Sequence, residues 1–159
     1  MISPADYLFF VDRALDAMAA TVEELGDDLA NRHLDVPGAN SPYAILTHCL
    51  GVVEYWGGHA VAGRPVARDR EAEFTARGPV AELVGRTRQV RDRFAGEVEG
   101  AEPDQPLRGA LPAGWESRRD PFVQRQGAAL VHVYEELAQH LGQMEVTRDV
   151  LRAAWAHRG

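Results

Sequence analysis

Three polar residues, His48, Glu136 and His140, combine side-chain chemistry and spacing that would suit a metal site. Glu136 and His140 are four residues apart, so on a helix they share one face, about one turn from each other. His48 follows Ile45 by three residues and precedes Val52 by four, which places it on the apolar stripe of another helix. Imidazole and carboxylate groups are good ligands for divalent metals, and catalytic zinc sites use three protein ligands with an open position. A divalent ion held by these groups would be electrophilic enough to deprotonate a water or a thiol.

Spacing alone also allows simpler roles for the same residues. A histidine on an apolar stripe is more often a hydrogen-bonded core residue than a ligand. Glu136 and His140 could form an ordinary ion pair on the surface of a helix, worth a few tenths of a kcal/mol. Spacing by itself favours these simpler roles over metal binding.

Trp56, His132 and Arg148 are further candidates, here for binding a substrate. His132 lies one turn before Glu136 and could be an alternative ligand or, as the better hypothesis, a partner of a ligand. Arg148 lies two turns beyond His140 and could bind a substrate carboxylate, or it could pair with a neighbouring acid on the surface. Trp56 is most simply a core aromatic residue.

The elements that must position these residues are predicted to be four long helices. Ser-Pro occurs twice where an apolar stripe begins, and serine is a good N-cap while proline is favoured at the first helical position. Extended strand-like alternation is absent from the sequence. We therefore predict an all-α fold, a four-helix bundle with at least one crossover connection. The predicted helices begin at Ser3-Pro4, at Ser41-Pro42, near Pro79 and near Phe122.

Glycine and proline predict where these helices end and where the connections lie. The second helix should end at Gly57-Gly58 or at Gly63, and the last should run to about Ala156. Residues 64–78 are charged and aperiodic, which predicts a connecting loop. Residues 100–121 are rich in proline and glycine and form a second predicted loop, of the length that is often functional or mobile.

Composition narrows the class of protein further. The 159 residues suit one domain, 1–159, and 45% hydrophobic with 26% charged residues is typical of a soluble protein. A net charge of −7 argues against binding nucleic acid or an anionic membrane. No apolar stretch approaches the roughly 20 residues that span a bilayer. Without a recognisable signal peptide, we expect a cytoplasmic location.

The basic residues and the lone cysteine exclude several kinds of chemistry. All 17 basic residues are arginine, so Schiff-base and P-loop chemistry, which need a lysine amine, are excluded. One cysteine, Cys49, excludes an intrachain disulfide framework and a cysteine-rich zinc site. We expect Cys49 to be a small core residue rather than a thiolate ligand.

Two segments of the chain resemble the DinB-like superfamily, namely residues 41–54 (SPYAILTHCLGVVE) and 132–143 (HVYEELAQHLGQ). This superfamily includes bacillithiol transferases and the N-terminal domain of mycothiol-dependent maleylpyruvate isomerase. The resemblance implies an up-down-down-up four-helix bundle, often a homodimer, with a zinc or nickel ion held by His48, Glu136 and His140. Many members supply three histidines, and Glu136 in the middle position is similar to the mycothiol-dependent branch.

What the resemblance implies about function is a metal-dependent thiol S-transferase, with mycothiol as co-substrate and an electrophilic small molecule as substrate. The chain stops after the bundle, so it departs from the isomerase, which has a second domain, and isomerisation of that substrate is not expected. A hydrolase or isomerase using the same site, an Fe(II) site for oxygen chemistry, and a non-catalytic metal-binding bundle that binds a small ligand remain the alternatives.

Overall fold

The architecture is that of packed helices, in a computed structural model that describes residues 2–111 and 124–156. Within these ranges there is no β-strand, which confirms the predicted all-α fold. The up-down-down-up order of helix directions and the homodimer stay predictions. No helix in the same ranges is long and apolar enough to cross a membrane. The helices are α1 (Pro4–Ala30), α2 (Pro42–Val52, continued by a π-helical segment, Val53–Val61), α3 (Arg70–Thr75), α4 (Val80–Glu99) and α5 (Gln126–Ala156).

Both Ser-Pro start signals work as predicted. The hydroxyl of Ser3 accepts a hydrogen bond from the backbone N–H of Asp6 at 3.1 Å. The hydroxyl of Ser41 accepts one from the backbone N–H of Ala44 at 3.2 Å. Each serine therefore satisfies an N–H group that has no partner within its own helix.

The helix that carries His48 is the most deeply buried element. Every residue of α2 is buried, so it has no solvent-facing side. α1 packs against α4 and α5, and α2 with its π-helical continuation also packs against both. His48 is thus held in an environment where a polar side chain is costly unless it has partners. The largest fully buried side chains of the core include Leu15, Met18, Ile45, Leu46, Leu50, Trp56, Phe94, Leu137 and Met144.

The second helix ends at the later of the two predicted positions. It passes through Gly57-Gly58 as a π-helix and stops before Gly63, whose φ of 76° lies in the left-handed region that favours glycine. Gly57 has a packing role instead. A Cβ atom on Gly57 would lie 2.3 Å from Cε2 of Phe94, so the missing side chain lets α4 approach closely.

The prediction of an uninterrupted loop over residues 64–78 is wrong, because α3 lies within it. The side chain of Asp69 caps α3 by accepting a hydrogen bond from the backbone N–H of Ala72 at 3.0 Å. Six residues are too few to show helical periodicity, and a helix this short is stable only through tertiary contacts. α3 finds those contacts against α2.

The last helix is described from Gln126 to Ala156, and its predicted C-terminal end near Ala156 borders residues 157–159, which lie outside the described residues. Its predicted start near Phe122 lies outside the described residues, as do residues 112–121 of the predicted loop. Gln126 is buried and ties the described part of that loop to the helix. Its side chain accepts a hydrogen bond from the N–H of Glu102 and donates one to the carbonyl of Pro106, both at 2.9 Å.

Candidate metal centre

The three residues with metal-ligand chemistry come together between α2 and α5. Potential ligand atoms of His48, Glu136 and His140 all lie within 4.8 Å of one another. Nε2 of His48 is 3.3 Å from Oε2 of Glu136, and Nε2 of His140 is 3.5 Å from the same oxygen. The helix packing therefore brings together two residues of one turn and a third that lies 88 positions earlier in the chain.

The centre sits at the edge of the core. His48 is 2% exposed, whereas the side chains of Glu136 and His140 are 28% and 24% exposed. One ligand candidate thus comes from the interior, and the other two border the surface. A small molecule in solution could reach a metal held at this depth.

Hydrogen bonds set the charge of the centre. The hydrogen bond from His140 and the weaker effect of the one from His48 hold the pKa of the Glu136 carboxyl well below its usual range. The group is therefore anionic at neutral pH. Burial opposes protonation of His48, but its hydrogen bonds to Glu136 and Glu73 outweigh burial and raise its pKa. A metal ion would have to compete with a proton for this ring.

The donor set fits a divalent ion. An ionised carboxylate is an acceptor only, and the unprotonated nitrogen of an imidazole is also an acceptor. Such atoms repel one another at 3.3 to 3.5 Å unless a proton or a cation lies between them. Two imidazoles and one carboxylate suit zinc or nickel, and three ligands leave coordination positions open for a substrate.

Sequence reasoning missed Glu73, a buried acid on α3 that contacts His48. Its Oε2 lies 2.8 Å from Nδ1 of His48, the ring nitrogen that faces away from Glu136. Arg68 donates two hydrogen bonds to the same carboxylate, from Nε at 2.7 Å and from Nη2 at 2.9 Å. The N-cap signal of Asp69, followed by acids in the first turn, could have predicted a short helix here. Nothing in that pattern indicates that Glu73 is buried.

Aromatic rings enclose the same imidazole. The ring of Phe74 stacks on His48 with centroids 4.6 Å apart and planes 25° apart. The ring of His140 meets His48 edge-on at 4.9 Å. The orientation of His48 is therefore fixed by packing as well as by hydrogen bonding.

The three weaker candidates lie in different surroundings. Trp56 is buried, and its ring meets the edge of His132 at 5.0 Å. Nε2 of His132 lies 3.8 Å from Oε1 of Glu136, so this histidine adjoins the centre as a neighbour of Glu136. Arg148 pairs with Asp149 at 2.8 Å, which is the surface ion pair that the sequence left open. Roles of these residues in substrate binding stay predictions.

Cys49 adjoins His48 in sequence, but its thiol faces the core. It is fully buried, and burial raises the pKa of the thiol, which disfavours the reactive thiolate. We expect Ellman's reagent to label Cys49 in the folded protein far more slowly than in urea-unfolded protein, because labelling requires local opening. Release of thionitrobenzoate followed over time measures both rates. Equal rates would contradict a buried thiol.

Helices packed around a partly exposed His–Glu–His group are the arrangement that the resemblance to the DinB-like superfamily implies. The chain matches the family model described as mycothiol-S-transferase over residues 7–153. Since this match spans nearly the whole chain, the protein belongs to that DinB-like family. A search among curated proteins finds no significant match.

Proposed function

We propose that the protein is a metal-dependent mycothiol S-transferase, which joins the sulfur of mycothiol to an electrophilic small molecule. The observation that carries the proposal is the convergence of His48, Glu136 and His140 in a member of the mycothiol-S-transferase family. One side of the centre is partly exposed to solvent, and the other side is packed against α3. The S-transferase therefore accounts for both the site and the family.

His48, Glu136 and His140 would hold the ion, with zinc or nickel as the expected metals. A divalent ion bound there would lower the pKa of a thiol, so that the reactive thiolate forms at neutral pH. Glu136 would supply the negative charge that offsets part of the ion's charge. The two imidazoles would bind as neutral ligands and leave the ion electrophilic.

The nucleophile in this proposal comes from the co-substrate, because the single cysteine of the chain, Cys49, is buried and burial raises its pKa. In the reaction the thiol would lose its proton to water, its sulfur would bond to the electrophilic carbon, and the leaving group would depart from that carbon with the bonding electron pair. His132, beside Glu136, is a candidate for contact with the substrates.

The test is a conjugation assay with monochlorobimane as electrophile. We expect zinc- or nickel-loaded protein with mycothiol to form the fluorescent conjugate faster than metal-free protein, and faster than His48→Ala protein supplied with the same metal. His33→Ala is the matched control, because His33 is an exposed histidine in the loop between α1 and α2. Glutathione in place of mycothiol tests which thiol is used, and we expect a lower rate. A rate no higher than that of metal-free or His48→Ala protein would exclude the proposed function.

A further inference from the structure

α3 holds the imidazole of His48 from the side opposite the candidate metal centre. Glu73 lies against Nδ1 at 2.8 Å, and Phe74, the next residue, stacks on the ring face. Arg68, just before the helix, fixes both oxygens of Glu73. Arg68, Glu73 and Phe74, which belong to one short segment, thus all lie close to the ring of His48.

We propose that Glu73, held by Arg68, is a positioning residue that keeps the proton of His48 on Nδ1 and aims Nε2 at Glu136 and His140. This role of Glu73 rests on the proposed function, which assigns a metal ion to the centre. Which ring nitrogen of a histidine can bind a metal depends on the hydrogen bond that the other nitrogen makes. A carboxylate at Nδ1 leaves Nε2 as the metal-binding nitrogen.

A competing hydrogen bond favours the opposite tautomer, and the distances decide between them. Nη2 of Arg68 lies 3.4 Å from Nδ1 of His48 and could donate to that nitrogen if it carried no proton. The carboxylate of Glu73 is much closer, at 2.8 Å, and charge-assisted hydrogen bonds to a carboxylate are the stronger kind. The same guanidinium is already engaged by the carboxylate through two shorter bonds, at 2.7 and 2.9 Å. The arrangement therefore favours a proton on Nδ1.

Gly51 makes room for this arrangement. It lies on α2, and a Cβ atom there would fall 2.0 Å from Oε1 of Glu73. The carboxylate thus occupies the space that any other residue at position 51 would fill. The glycine at position 51 of α2 is therefore what allows the carboxylate of Glu73 to lie in this position.

The first test compares zinc affinities by competition with a chromophoric chelator. We expect Glu73→Ala to weaken zinc binding by about 10- to 100-fold, the usual cost of losing such a partner. Glu73→Gln should lose less, because its amide oxygen can still accept a hydrogen bond from the Nδ1–H group of His48. Glu97→Ala is the matched control: Glu97 is another mostly buried carboxylate paired with an arginine, Arg64, at 3.0 Å, and it does not contact the centre. We expect the control to bind zinc as the wild type does.

The second test does not depend on metal binding. Nitrogen-15 NMR of the neutral His48 ring in metal-free protein reports which nitrogen carries the proton. We expect Nδ1 in the wild type and a shift of the population towards Nε2 in Glu73→Ala. This measurement on the wild type decides the tautomer even if a variant fails to fold.

Three outcomes would overturn the positioning role. They are a wild-type ring protonated on Nε2, unchanged zinc affinity in folded Glu73→Ala, and an equal loss of affinity in Glu97→Ala. Failure of the proposed function looks different. In that case the metal-loaded wild type forms no conjugate faster than metal-free protein does, while zinc affinity and the tautomer measurement still test the role of Glu73.

Discussion

Replacing Glu136 by glutamine is expected to abolish stoichiometric metal binding and to lower the thiol-transfer rate by about a hundredfold or more. This loss exceeds the usual effect of removing a residue that only hydrogen-bonds to a metal ligand. The carboxylate is anionic at neutral pH, because hydrogen bonds from His140 and His48 keep its pKa low. Glutamine keeps the shape of the side chain but supplies no charge to a divalent ion. Metal content after dialysis, measured by mass spectrometry, and the initial rate of conjugation check the two effects.

Glu135→Gln is the control for this experiment. Glu135 is the preceding residue on the same helix, and its exposed carboxylate pairs with His132 and Gln139. Glutamate and glutamine have similar helix propensities, so neither substitution disrupts α5 through the backbone. We expect the control to keep its metal and its rate. Full metal occupancy in folded Glu136→Gln would contradict the proposed ligand set.

Local signals in the sequence account well for the long helices. Serine hydroxyls at positions 3 and 41 cap α1 and α2, because capping needs only residues within one turn. The spacing of Glu136 and His140 likewise places them on one helical face. Features that depend on a few neighbouring residues were therefore predictable.

The centre as a whole depends on contacts between distant parts of the chain. His48 meets Glu136 only because α2 packs against α5, and spacing alone favoured an ordinary core histidine. The resemblance to a known family supplied that juxtaposition. Glu73 was missed because α3 is too short to show periodicity, and its burial comes from tertiary packing. Charged residues in an aperiodic stretch usually indicate a solvated loop, and here one of them is buried against a histidine.

The role of Gly57 in the π-helical segment also depends on tertiary packing that the local sequence does not reveal, and it leads to a stability prediction. We expect Gly57→Ala to lower the free energy of unfolding by about 1–3 kcal/mol, the usual cost of overpacking a core. In an open helix the same change would be stabilising, since alanine is the better helix former. The added Cβ, however, would lie 2.3 Å from the ring of Phe94, which is 1% exposed. Urea unfolding followed by circular dichroism measures the difference.

Two companion variants identify the cause of this loss. Gly96→Ala adds a methyl group to α4 where no atom outside the neighbouring backbone of the same helix lies within 4 Å, so we expect it to raise the free energy of unfolding by about 0.5–1 kcal/mol. Phe94→Leu removes the ring that the new Cβ would meet. Combined with Gly57→Ala it should cost less than the sum of the two single changes, by about 0.5–3 kcal/mol. Additive losses would show that Gly57 and the ring do not compete for the same space, and the close approach of α4 would then need another explanation.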